Sequence, residues 1–171
     1  AYDNVEVANP RALDIDHMVP LKEAWLSGAW RWTPATRTSY ANDLGYGMSL
    51  LAVTASTNRS KSDRDPAEWL PAANRCAYAK GWVGVKYRWR LSVDPAEKSA
   101  LQRVLRGCSP LMTVPPLADR QTVDADAAPP APPPAAQPDA GGARDPRFDT
   151  CGEANSAGYG PYVRGQDPEY D

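Results

Sequence analysis

Hydrophobic and polar positions change their spacing along the first 110 residues, and each change marks an element. Residues 1 to 19 read as extended: YDNVEVANP alternates loosely, and ALDID is a short β-type run leading to His17. After it, PLKEAWLSGA puts Leu21, Ala24 and Trp25 on one side of a short helix, with Gly28 past its end. TPATRTSYANDLG predicts a second helix, with Thr33 as N-cap, Pro34 at the first helical position and Gly45 as the stop. SLLAV, residues 49 to 53, reads as a buried strand. TASTNRSKSDRDP then predicts a turn into a short helix that ends near Asp65–Pro66. In AANRCAYAKGWVGVKYRWRL, Tyr78, Trp82, Val85 and Trp89 recur at helical intervals, which assigns them to the core rather than to a stacking platform for bases. DPAEKSALQRVLRGC predicts the final helix: Asp94 caps, Pro95 starts, and Leu101, Val104 and Leu105 pack.

The pattern then stops. Residues 111–147, including VPPLADRQTVDADAAPPAPPPAAQPDAGGARDP, are rich in proline and alanine without periodicity. Such a stretch has too little apolar surface to fold and is expected to be a disordered, partly polyproline linker. Residues 148–171 form a small unit with one cysteine and a Gly/Tyr-rich turn region, too short to fold alone. The expected organisation is one globular core over 1–110, a linker and a small segment.

Composition adds less. Of 171 residues 42% are hydrophobic, enough for one core with tails. Residues 1–110 carry 15 Lys+Arg against 11 Asp+Glu, and residues 111–171 carry 4 against 10, so the halves differ by +4 and -6. A mildly basic front half suits a polyanionic partner, and solvated surface charge accounts for it equally well. No apolar run is long enough to span a membrane. Three cysteines leave one over. A Cys76–Cys108 bridge would close a loop of about 30 residues and stabilise the fold by roughly 3 kcal/mol, which suits a secreted protein; two buried free thiols are the alternative. The chain opens at AYDNVEVANP without a leader, as expected of a mature or trimmed piece.

The candidate chemistry lies in LDIDHMVPL, which holds the one histidine. A strand ending in Asp16–His17, a second strand and a helix bearing Asn58 and Lys61 can converge as a ββα unit. Phosphodiester hydrolysis needs a base for water and positive charge against the phosphate and leaving oxygen. Asp16 and Asn58 offer oxygen ligands suited to a hard cation such as Mg²⁺. His17 points to the opposite face of its strand from Asp16, so one residue can hold metal while its neighbour works on water. Lys61, one turn beyond Asn58, can neutralise the phosphate. Each residue also has a plain structural role open to it: His17 as a surface imidazole beside solvated acids, Asn58 as a helix cap, Arg59 and Lys61 as a solvated face.

LDIDHMVPL followed by SLLAVTASTNRSKSDRDPAEWLP resembles the HNH (ββα-metal) endonucleases, and more narrowly the secreted bacterial type related to the GmrSD C-terminal domain. The Asp-His and Asn-x-x-Lys pattern is also similar to the HNH domain of RNA-guided nucleases. The resemblance covers roughly residues 1–110. It implies an α+β fold, a ββα-metal core elaborated by several helices. It implies a secreted, metal-dependent endonuclease with His17 as general base and Asp16 and Asn58 on one divalent ion, Mg²⁺ or Mn²⁺. Lys61 then sits beside the phosphate, with Asp14, Arg59 and Ser49 in support, and DNA is favoured over RNA. The family's middle Asn falls on Ser49, for which Asn42 is a candidate substitute; the zinc-knuckle cysteines are absent, and the usual region upstream of AYDNVEV is expected to be missing. FDTCGEANSAGYGPYVRGQDPEYD resembles the first half of an excalibur domain, which implies calcium binding only through a remainder not in this chain and a lost partner for Cys151. The competing reading is an extracellular binding protein that keeps the fold without catalysis.

Overall fold

The computed structural model describes residues 1–123 of the 171. The expected excalibur-like segment, Cys151 and most of the expected linker lie outside the described residues. Two antiparallel strands form the only sheet among the described residues: β1, Leu13–His17, and β2, Leu50–Thr54. Their register pairs Asp14 with Val53, Asp16 with Leu51 and His17 with Leu50. Five α-helices accompany them: α1 Leu21–Leu26, α2 Pro34–Ala41, α3 Ala55–Lys61, α4 Arg75–Trp89 and α5 Pro95–Leu105. The architecture is mixed α+β.

Local rules account for most boundaries. The Thr33 hydroxyl accepts from the Thr36 N–H with Pro34 at the first position of α2, and Asp94 and Glu97 form a reciprocal capping box on α5. Helix α2 ends at Ala41 rather than at Gly45, because Asn42, the C-cap, turns its amide back onto the Thr38 carbonyl and Asp43 turns inward. Helix α3 ends at Lys61, short of Asp65–Pro66, where Ser62 takes a positive φ of 50°. Gly28, at φ 118°, turns α1 into a 3-10 turn over Ala29–Arg31, a conformation that favours glycine.

The core is aromatic. Tyr78, Trp82, Val85 and Trp89, the helical stripe of the sequence, are all at most 2% exposed. Tyr2 meets Tyr78 edge-on at 5.5 Å, and Tyr40 meets Trp89 edge-on at 5.3 Å. Gly81 is a close-approach site: a Cβ there would sit 2.8 Å from Met18 Cε and 2.7 Å from Met48 Cε. Its bare backbone lets α4 press on the residue that follows His17. A second support for this region is the buried Lys86. Its ammonium donates to Glu23 on α1 at 2.6 Å, to the Ser92 carbonyl at 2.9 Å and to Glu97 on α5 at 3.2 Å. Cys76 and Cys108 are joined in a disulfide across a separation of 32 residues.

Of the expected linker, residues 111–123 are among those described. Residues 111–123 include a strap on the core: the Ala118 N–H donates to the Arg88 carbonyl at 3.0 Å, and the Val123 N–H to the Arg31 carbonyl at 2.7 Å. Thr122 forms a β-bridge with Trp32, and Ala118 is 6% exposed. Periodicity carries no signal of these contacts, because they are made by backbone groups, which composition does not report.

Candidate active site

Strand β2 runs directly into α3, and α3 lies across both strands. Alternation puts Asp14 and Asp16 on the α3 side of β1 and Ile15 and His17 on the other. Three acids then meet α3 in order along its length. Asp3 accepts from the Thr54 and Thr57 hydroxyls at 2.5 and 2.7 Å. Asp14 Oδ2 accepts from Asn58 Nδ2 at 3.1 Å. Asp16 Oδ1 accepts from Lys61 Nζ at 2.7 Å. The threonine hydroxyls, with the Val5 N–H, bring the Asp3 carboxyl down to about 2.

Asp16, expected on the metal, and Lys61, expected beside the phosphate, are both buried. Lys61 is 0% exposed, and its ammonium also donates to the His17 carbonyl at 2.8 Å. Asp16 is 5% exposed, and its second oxygen accepts from the Tyr2 hydroxyl at 2.6 Å. Burial pushes the Lys61 pKa down and Asp16 opposes that shift. Burial and Asp16 both push the Tyr2 phenol up, so it stays a donor. In this arrangement Lys61 does not reach a phosphate in solvent, and both oxygens of Asp16 are engaged. The pair instead ties the end of β1 to the end of α3. The oxygen donors nearer the surface are Asp14 and Asn58, which are partly exposed.

His17 is also partly exposed. Its Nε2 lies 2.9 Å from the Ala41 carbonyl at the end of α2, and its ring stacks near Tyr40 at 6.3 Å between centroids. A carbonyl only accepts, so Nε2 carries a proton and Nδ1 holds the lone pair of the neutral ring. Among the described residues Nδ1 has no hydrogen-bond partner.

Ser49 supports this segment through its backbone: its carbonyl accepts from the Met18 N–H at 3.0 Å. Its hydroxyl donates to Asp43 at 2.8 Å. Asp43 is the residue that sequence reasoning missed. It accepts from Arg88 Nε and Nη2 at 2.8 and 2.9 Å and from Trp89 Nε1 at 2.8 Å. Burial acts to raise its pKa, but the bonds from Arg88, Trp89, Ser49 and the Gly45 N–H outweigh it and bring it to about 2. The neighbouring Asn42 is exposed and caps α2 rather than reaching β1. Arg59 is exposed on α3.

The family described as GmrSD restriction endonucleases, C-terminal domain, matches residues 1–104. The chain belongs to this family. The GmrSD C-terminal match covers β1, β2, α3 and the four residues expected to act, and it points toward nuclease function in general. The chain is also 44% identical over 109 residues to an uncharacterized secreted protein of Arthroderma benhamiae, an alignment covering 63% of this chain and 53% of that relative. The chain thus spans about half the length of that curated relative. No solved structure matches it.

Proposed function

We propose that this GmrSD-type chain is a secreted, metal-dependent endonuclease that hydrolyses phosphodiester bonds, with DNA as substrate and β1, β2 and α3 as a ββα-metal core. The observation that carries the reading is the His17–Ala41 bond, which leaves Nδ1 as a lone-pair site at the end of β1. His17 Nδ1 takes a proton from water, the water oxygen bonds to phosphorus, and the bond from phosphorus to the leaving sugar oxygen breaks. That oxygen takes its proton from solvent. Asp14 and Asn58 would hold one divalent cation, Mg²⁺ or Mn²⁺. Their donor set suits the ion in kind, since a carboxylate and an amide oxygen are hard donors in small number and suit an ion that keeps several waters. Asn58, whose Nδ2 donates to Asp14 at 3.1 Å, would turn its amide to offer Oδ1. Such an ion would offset the charge that builds on the phosphate and leaving oxygen. Asp16 would join it only if Lys61 gave up its bond.

Secretion is supported by the Arthroderma relative's description and by the disulfide, a bond favoured in oxidising compartments. The competing reading, an HNH-fold binding protein without catalysis, draws on Ser49 at the family's middle Asn position. Incubation of the chain with supercoiled plasmid and with oligonucleotides, in Mg²⁺ or Mn²⁺ and again with chelator, decides between them. Chelator-sensitive cleavage is expected; no cleavage of any nucleic acid in either metal would leave the binding reading.

A further inference from the structure

Two arginine–tryptophan pairs stand at the surface on α1, α2 and the turn that joins them. The Arg37 guanidinium lies 5.4 Å from the centroid of Trp25, bridging α2 to α1. The Arg31 guanidinium lies 4.6 Å from the centroid of Trp30, in the turn between those helices. Both tryptophans are partly exposed and Arg31 is exposed. Arg37 also donates from Nη1 to the Trp32 carbonyl at 2.5 Å, which fixes its plane. The pairs are placed by the same elements that hold the histidine. Arg37 is one helical turn before Ala41, whose carbonyl accepts from His17. Trp25 is on the helix that starts four residues after His17.

The chemistry of this surface is one-sided. Between Glu23 and Asp43 the chain carries two arginines and no acid. The bounding acids are committed elsewhere, Glu23 to Lys86 and Asp43 to Arg88. A cationic plate laid on an indole is a surface on which a base can stack, with charge at its edge for the phosphate. Bases inside a duplex have no free face to offer it. The net +4 of residues 1–110 is too small for charge alone to give tight binding, so stacking must contribute if a strand is to be held.

We infer that the Trp25–Arg37 and Trp30–Arg31 pairs receive unpaired bases, so that the substrate class is single-stranded or locally unpaired nucleic acid whose backbone passes His17. This inference rests on His17 marking the reacting end, but its test does not need catalysis. The full chain carrying His17→Ala is titrated, with chelator present, into a labelled oligonucleotide and into the same sequence as a duplex, and anisotropy is read. The single strand is expected to bind at least about tenfold more tightly. Trp25→Leu and Trp30→Leu are each expected to weaken single-strand binding about five- to tenfold, as loss of one stacked base does. Arg31→Ala is expected to weaken it similarly and to reduce the salt dependence by about one counterion. Melting temperatures identify any variant that fails to fold; if Trp25→Leu does so, Trp30→Leu and Arg31→Ala decide. Equal affinity for both forms, no binding of either, or folded variants with parental affinity would overturn the inference. Absence of cleavage by the unmutated chain would sink the nuclease reading while leaving this binding result to stand by itself.

Discussion

His17 and Ala41 are joined by a 2.9 Å hydrogen bond from the imidazole Nε2 to the backbone carbonyl at the end of α2. The bond orients the ring and assigns its protons without involving another titratable group. His17→Ala removes the lone pair but leaves the Ala41 carbonyl near the surface, where water can satisfy it. Cleavage is therefore expected to fall by about 10²- to 10⁴-fold, the range for loss of a general base, with little change in melting temperature. Plasmid cleavage and thermal melting check this together, and a parental rate would remove His17 from the chemistry.

Lys61 is expected to show itself as a stability residue. Lys61→Met leaves the Asp16 carboxylate buried without its cation, which is expected to cost about 3–5 kcal/mol. Adding Asp16→Asn to the same chain removes that stranded charge and should recover much of the loss. Urea denaturation of both single variants and the double variant measures the coupling. A Lys61→Met protein with parental stability and a raised KM for nucleic acid would instead restore the phosphate contact read from the sequence.

The proposed metal ligands separate by the same logic. Asp14→Ala and Asn58→Ala are expected to weaken Mg²⁺ or Mn²⁺ binding in calorimetry and to lower cleavage, with partial rescue by excess metal, because a site with few protein ligands depends on each. Asp16→Asn, where folded, is expected to bind metal nearly as the parent does. Metal affinity lost with Asp16 and kept without Asp14 would reverse the assignment.

Asp43 sets a pH dependence of stability. Its folded pKa of about 2 lies below the ordinary 3.8. The contribution is therefore full above about pH 4 and is lost as pH falls from there through 2. Asp43→Asn should be less stable at neutral pH and should show a flatter decline between pH 4 and 2. Asp3, also held at about 2, leaves some slope in the same window. Melting temperatures across that range check the sign; parallel curves for variant and parent would show that Asp43 titrates alike in both states.

The parts legible from the sequence were those governed by neighbours in the chain. Thr33–Pro34, Asp94–Pro95 and the Tyr78–Trp82–Val85–Trp89 stripe each predicted local structure from residues within a few turns, and the structure follows them. Spacing and family resemblance marked Asp14, Asp16, Asn58 and Lys61 as residues to watch, and the first two lie on β1 and the last two on α3. What each side chain does there was not legible. Lys61 reads as exposed because lysine usually is, yet its ammonium meets Asp16, 45 residues back along the chain. Asp43 carries no mark within the expected second helix, because Arg88 and Trp89 lie 45 and 46 residues further on. Long-range pairs of this kind have no periodic signal.

The strap over residues 116–123 gives the last expected outcome. Its attachments are spread over three places on the core. Arg88 Nη1 donates to the Pro116 carbonyl at 2.6 Å and Arg120 Nη1 to the Arg90 carbonyl at 3.1 Å. The Thr33 N–H donates to the Gln121 carbonyl at 3.0 Å, at the start of α2. The Gln121 N–H returns a bond to the Thr36 hydroxyl at 3.0 Å. Arg88 is also the partner of Asp43, and α2 is the helix whose last carbonyl orients His17, so the strap braces both supports of the site. A chain ended at Pro110 is expected to melt several degrees below one ended at Val123, since it loses these bonds and the buried Ala118, and a change of 1 kcal/mol shifts a domain of this size by about 4 °C or more. Ala118→Asp in the full chain tests the same contact without truncation, because a carboxylate at a buried position lacks a partner there. Both changes should also slow cleavage through looser placement of α2. Identical melting of the two truncated chains, together with an unchanged Ala118→Asp protein, would return the domain boundary to residue 110.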